Sequence, residues 1–141
     1  MPARIVIVDD DPVHNLLLGS ILEQAGYEVR KCESGLAALA EVARGCDYLI
    51  TDYHMPGMNG VELIRAVRRQ HSPACLVLTG SEGGAIDKPA KASGAAAVLC
   101  KPTHPRRLLK FLEGIAGGNR PSAPPASGFG RVAATEAATA S

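Results

Sequence analysis

A chain of 141 residues with a net charge of +1 has the length of one domain that can bury a real core without staples. Near neutrality excludes a global pull toward nucleic acid or anionic membrane, and no apolar stretch is long enough to span a bilayer as a helix. The body is rich in Leu, Val, Ile and Ala, with 4% aromatic residues and no Trp, which suits layered packing of aliphatic side chains.

Short apolar runs alternate with longer helical patterns along the chain, the signature of βαβ units and a parallel sheet. The first strand is Ile5-Val6-Ile7-Val8, followed by Asp9-Asp10-Asp11. A helix is expected from Pro12 to Gln24, with Asp11 as N-cap and Pro12 at the first helical position. Val13, Leu17 and Ile21 give it one apolar stripe, with Leu18 and Leu22 beside it, and Gly26 closes it. The second strand, Glu28 to Cys32, is short and mixed, so it is expected at an edge. The second helix follows a Ser34 cap, carries Leu36, Leu39 and Val42 inward and ends at Gly45. Tyr48-Leu49-Ile50-Thr51 is the third strand and ends in Asp52, before a Pro/Gly loop that presents the carboxylate to solvent. Asn59 and Glu62 form a capping-box pattern for a third helix with Leu63, Ile64 and Val67 facing the sheet and Arg65, Arg68 and Arg69 in water. Ala74 to Leu78 is the fourth strand and leads into Thr79-Gly80. The fourth helix, within 84–93, follows Gly83-Gly84 and holds Pro89 in its interior, which predicts a short, kinked or partly melted element. Ala97 to Cys100 is the fifth strand and ends in Lys101-Pro102. The fifth helix begins near Pro105 and buries Leu108, Leu109, Leu112 and Ile115. From Gly117 onward, 19 of 25 residues are Ala, Gly, Pro, Ser or Thr, too little apolar surface to offset chain entropy. The reading is therefore a folded domain over 1–116 and a disordered tail or linker over 117–141.

Four strands thus finish in acid, acid, hydroxyl and ammonium, and in a parallel sheet those ends share one edge, where open α/β folds place their sites. In order and on those strands, Asp9-Asp10, Asp52, Thr79 and Lys101-Pro102 give a combined signal that none carries alone. The chain resembles the receiver domains of two-component response regulators over about residues 3 to 116. The resemblance implies a doubly wound five-stranded parallel sheet of flavodoxin-like order 2-1-3-4-5, with five helices and a weak fourth.

The resemblance also implies a chemistry. Asp52 would accept a phosphoryl group from a histidine kinase or a histidine phosphotransfer protein. Nucleophile and donor are both anionic, so a divalent cation must offset their repulsion. Mg2+, a hard ion that takes oxygen ligands, would be held by Asp10 and Asp52 directly, by Asp9 through water and by the backbone carbonyl of His54. Lys101 would meet a phosphoryl oxygen as a point charge and the Thr79 hydroxyl another, and a cis bond before Pro102 would aim the lysine. Receivers often carry Tyr or Phe where this chain has Val98, so a route for the signal through a swinging ring is not expected. The Gly83-Gly84 and Pro89 interruptions point instead to residues 81 to 94 as the moving element. Small Gly80 leaves an open approach for water.

The function expected is a phosphorylation-dependent switch that signals to a protein partner as a single-domain response regulator. It would be a monomer or weak dimer without DNA binding, membrane contact or turnover of a separate substrate. The cysteines Cys32, Cys46, Cys75 and Cys100 form no CxxC pair and read as reduced thiols. With no secretory N-terminus, the expected location is the cytoplasm. An alternative is an adaptor in which Arg106, Arg107 and Lys110 grip an acidic partner or a cyclic dinucleotide. A haloacid-dehalogenase-like phosphatase is more remote, because its second Asp, two residues beyond the first, is replaced here by His54. A dinucleotide-binding fold is disfavoured because the first strand leads into Asp-Asp-Asp-Pro and not a Gly-rich loop.

Overall fold

The computed structural model describes residues 2–80, 84–115 and 130–131. Five parallel strands, β1 Arg4–Val8, β2 Glu28–Cys32, β3 Tyr48–Asp52, β4 Ala74–Thr79 and β5 Ala95–Cys100, lie in the order β2-β1-β3-β4-β5. Every neighbouring pair is parallel. The helices are α1 Pro12–Gln24, α2 Gly35–Ala43, α3 Gly60–Arg68, α4 Asp87–Ser93 and α5 Pro105–Gly114. One core lies on the side of α2, α3 and α4, through Val42, Leu63, Ile64, Val67 and Ala90. The other lies on the side of α1 and α5, through Leu18, Leu22, Leu108 and Leu112. β3 and β4 are buried along their whole length, as central strands covered on both faces must be. β2 is the partly exposed edge.

Gly130–Arg131 forms a two-residue strand, β6, parallel to β5, with Ala97 opposite Gly130 and Val98 opposite Arg131. The described sheet therefore has a sixth strand beyond the expected five. The rest of the expected tail, and the expected boundary at Gly117, lie outside the described residues.

Local signals explain the helix ends. Asp11 accepts hydrogen bonds from the Val13 and His14 amides, and Asn59 and Glu62 close a reciprocal capping box. Gly26 and Gly45 take the positive φ of helix terminations.

Three packing expectations are corrected. In α1 the inward face is Asn15, Leu18, Gly19 and Leu22, so Val13 and Leu17 are exposed. The inward register starts on a polar residue, and reading only apolar spacing rotated the helix. In α2, Gly35, Ala38 and Val42 face inward and Leu36 is 75% exposed. Its small residues let the helix approach the sheet closely, and a Cβ on Gly35 would meet the Met58 side chain. α4 is short, as expected, at seven residues, but Pro89 is its third residue and not an interior one. It thus falls in the first turn, where backbone N–H groups have no intrahelical partner, and the seven-residue helix bears none of the interior penalty.

Candidate functional site

Register and loop hydrogen bonds bring the strand ends together. Asp52 is the last residue of β3 and pairs with Leu78 of β4, one residue before Thr79. The Tyr53 amide donates to the Leu78 carbonyl at 2.8 Å and the Lys101 amide to the Thr79 carbonyl at 2.7 Å. The Asp9 amide donates to the Cys32 carbonyl at 3.0 Å, which fixes the loop after β1 against β2. The chain must also leave β3 closely. At Gly60 a Cβ would lie 2.7 Å from the Asp52 carbonyl oxygen, so only glycine lets α3 start that near.

The carboxylates of Asp9, Asp10 and Asp52 have oxygens within 4.8 Å of one another. Lys101 Nζ lies 3.1 Å from Asp52 Oδ1 and 3.3 Å from Asp9 Oδ2. Asp9 and Asp52 thus share one lysine with Asp10 close by, and the centre carries excess negative charge. Asp52 is 7% exposed and Asp9 4%, whereas Asp10 is open to solvent. The expected solvent presentation of Asp52 is therefore corrected: the carboxylate is buried at the base of the edge, since β3 is a central strand. Burial raises the Asp52 pKa above the ordinary value, with the charges of Asp9 and Asp10 adding to it, against the lowering effect of Lys101. Burial also works against the charged form of Lys101, but the hydrogen bond and charge of Asp52, joined by Asp9, outweigh it and leave the lysine raised.

An all-oxygen, anionic donor set with one exposed member suits a hard divalent ion that keeps part of its water shell. Asp11, by contrast, is occupied as a cap and donates its own amide to Asp9 Oδ1. His54 is exposed and its ring meets Tyr53 edge-on at 4.9 Å. Thr79 is fully buried. Gly80 is exposed and a Cβ there would meet nothing within 4 Å. Val98 is fully buried among aliphatic side chains, and Lys101-Pro102 is a cis peptide. Arg106 and Lys110 are exposed on α5 and Arg107 half-buried, remote in the chain from the acidic cluster.

Two residues at the centre were not singled out in the sequence. His14 Nδ1 contacts Asp9 Oδ2. Asn15 is buried and its Nδ2 donates to the carbonyls of Asp9 and Cys32 at 2.9 and 2.8 Å, pinning the acidic loop to two strands. The signal was available: Asn15 stands at helical spacing with Leu18 and Leu22, and a buried polar residue needs partners.

A family model described as the response regulator receiver domain matches residues 5–113. The response regulator protein FleR of Pseudomonas aeruginosa is 35% identical over 124 residues, 86% of this chain and 26% of that protein. The sensory/regulatory protein RpfC of Xanthomonas campestris is 30% identical over 132 residues, 88% of this chain and 18% of that protein. The chain therefore spans only a minor part of these relatives. The chemotaxis response regulator CheY4 of Vibrio cholerae superposes with a TM-score of 0.75 at 34% identity, over 82% of this chain and 99% of that one. A putative response regulator from Chloroflexus aurantiacus gives 0.76 at 33% identity, over 83% and 99%.

Proposed function

Since the chain belongs to the response-regulator receiver family, we propose that it is a phosphorylation-dependent switch in which Asp52 accepts the phosphoryl group. The observation that carries this reading is the sharing of Lys101 by two buried carboxylates, Asp9 just after β1 and Asp52 at the end of β3. An Asp52 oxygen forms the new bond to phosphorus while the bond from phosphorus to the donor nitrogen, on a phosphorylated histidine of a kinase or phosphotransfer protein, breaks. Such a transfer depends mainly on position and charge. Lys101, already aimed at Asp52 Oδ1, offers a fixed cation to the arriving oxygens. Burial keeps bulk water from screening that charge.

Asp9, Asp10, Asp52 and the His54 carbonyl would hold Mg2+, which supplies charge neutralisation and orientation at the phosphoryl group. Asn15 and the Asp11 amide hold Asp9 in place. Val13, Leu16 and Leu17 are exposed on the first turns of α1, beside the acidic loop, and give a donor protein an apolar surface next to the nucleophile. With Val98 aliphatic and buried, the output does not use a ring at that position. Residues 81 to 94, of which 81–83 lie outside the described residues, are the proposed moving element, biased by the phosphate's contacts with Thr79 and Lys101. The downstream target would be a protein.

Intact-mass measurement after incubation with acetyl phosphate and Mg2+ tests the reading. One added phosphoryl group is expected on the wild-type chain and none without divalent cation. Labelling that is equal with and without Mg2+ would remove the metal from the account.

A further inference from the structure

A cavity edged by charged side chains lies at the end of the strands opposite Asp52. β1 begins there with Arg4, β2 passes it at Arg30, and α2 ends there at Arg44 and Gly45. With Glu41 and Cys46 these residues line a cavity of about 100 Å³. Three guanidiniums face one carboxylate, so the lining is cationic.

Neighbouring acids leave much of that charge available. Arg4 and Arg30 share Glu28 at 3.7 and 3.4 Å, and Arg30 Nη1 lies 3.6 Å from Glu41 Oε1. These are long pairs between partly exposed groups, which bind weakly in water. The Arg44 side chain is exposed and has no ion-pair partner among the described residues.

Glu41 narrows the chemistry. Its Oε1 is buried and accepts no hydrogen bond, an arrangement that a donor entering the cavity would relieve. The C-terminal carbonyls of α2 add partial negative charge at the same place. A fully deprotonated anion would be drawn by the arginines but opposed by Glu41 and the helix end. An oxyanion that also carries a hydroxyl meets both demands, with charged oxygens toward the guanidiniums and the O–H toward Glu41 Oε1.

We propose that this cavity binds a small oxyanion bearing its own hydroxyl donor, of the type of monohydrogen phosphate or a hydroxylated phosphate monoester. The site is distinct from the Asp52 centre, since the two lie at opposite ends of β1. A ligand that joins Arg4, Arg30 and Arg44 would fasten β1, β2 and α2 together at the end away from the acidic loop.

The test is a titration of the full chain with sodium phosphate, glycerol phosphate and sodium sulfate, at matched ionic strength and a pH where monohydrogen phosphate predominates. The backbone amide signals of Gly45 and Cys46 report on the cavity, and that of Lys101 reports separately on the Asp52 edge. Phosphate should give saturable shifts at Gly45 and Cys46, and sulfate, which lacks the proton for Glu41, should bind about tenfold more weakly. Glycerol phosphate binding above phosphate assigns the site to monoesters, and binding below it assigns the site to the free anion. Arg44→Ala, at an exposed position, should weaken phosphate about tenfold and leave the Lys101 response unchanged. Glu41→Gln should bring sulfate up to the level of phosphate. Shifts that do not saturate, equal binding of sulfate and phosphate by the wild-type chain, or indifference to Arg44→Ala would overturn the proposal.

Discussion

Replacing Asp52 with Asn should stabilise the chain near neutral pH when divalent cations are absent. The variant loses the attraction between Asp52 and Lys101 at 3.1 Å, about 5 kcal/mol at an effective dielectric constant of about 20. It also escapes repulsion from Asp9, whose oxygen lies within 4.8 Å, at least about 3.5 kcal/mol on the same scale. Exposed Asp10 adds about 1 kcal/mol in water-like surroundings. Those contributions nearly cancel, so desolvation of a carboxylate that is 7% exposed decides the sign. A buried ion costs several kcal/mol, and the solvent-open rim lowers this to a net gain of about 1–3 kcal/mol for Asn. The raised pKa of Asp52, caused first by burial, has the same sign. A carboxyl with a raised folded-state pKa contributes stability below its unfolded value and loses it as pH rises through the folded value. The advantage of Asn should therefore grow as pH rises through the folded-state value and vanish well below the ordinary value of 3.8. Urea denaturation in a chelator, repeated across pH, measures it. Mg2+ at a hundred times its dissociation constant should then stabilise the wild type by about 2.7 kcal/mol and the variant much less, closing or reversing the gap. A less stable Asn variant at neutral pH without metal would mean that the lysine pair outweighs burial, refuting the reasoning.

The acidic run divides its labour, so Asp10→Ala should abolish Mg2+ binding near Asp52, read by calorimetry. Asp11→Ala should retain binding and lose only the α1 cap, about 0.5–2 kcal/mol of stability; equal losses of binding would show the division to be wrong. Burial, with the Glu41 charge adding to it, pushes the Cys32 thiol up to about 11. Thiol reagents at mildly alkaline pH should therefore spare Cys32 in the folded chain while modifying half-buried Cys46 and Cys100, and Cys32 should react only on unfolding; rapid native labelling of Cys32 would contradict its burial.

The sheet and the strand-end groups were legible because both depend on sequence-local signals. Apolar runs of strand length end in chemically distinct residues, and a parallel arrangement brings those ends to one edge whatever the packing between them. Helix caps were legible for the same reason, as Asp11 and Asn59 act within one turn. The facing of α1 and α2 was not, because it depends on how closely each helix meets the sheet. α1 turns inward on Asn15 and Gly19 and α2 on Gly35 and Ala38, residues that an apolar count passes over, while Leu16, Leu17 and Leu36 stay in water. The burial of Asp52 was hidden similarly, since strand-end position gives the edge but not the depth. The pairing of Gly130–Arg131 with β5 is non-local, and the tail's composition gave no hint of it. His14 and Asn15 reach Asp9 from the next turn of chain, a contact visible only when the loop after β1 is folded back on α1.

The central claim is that the phosphoryl group is carried by one particular carboxylate, and borohydride trapping tests it most directly. The chain is phosphorylated by acetyl phosphate with Mg2+, reduced so that an acyl phosphate becomes homoserine, digested and mapped by mass spectrometry. The account predicts homoserine at position 52 alone, and no such product in the Asp52→Asn variant. Homoserine at Asp9 or Asp10 in the wild-type chain, with position 52 intact, would contradict it.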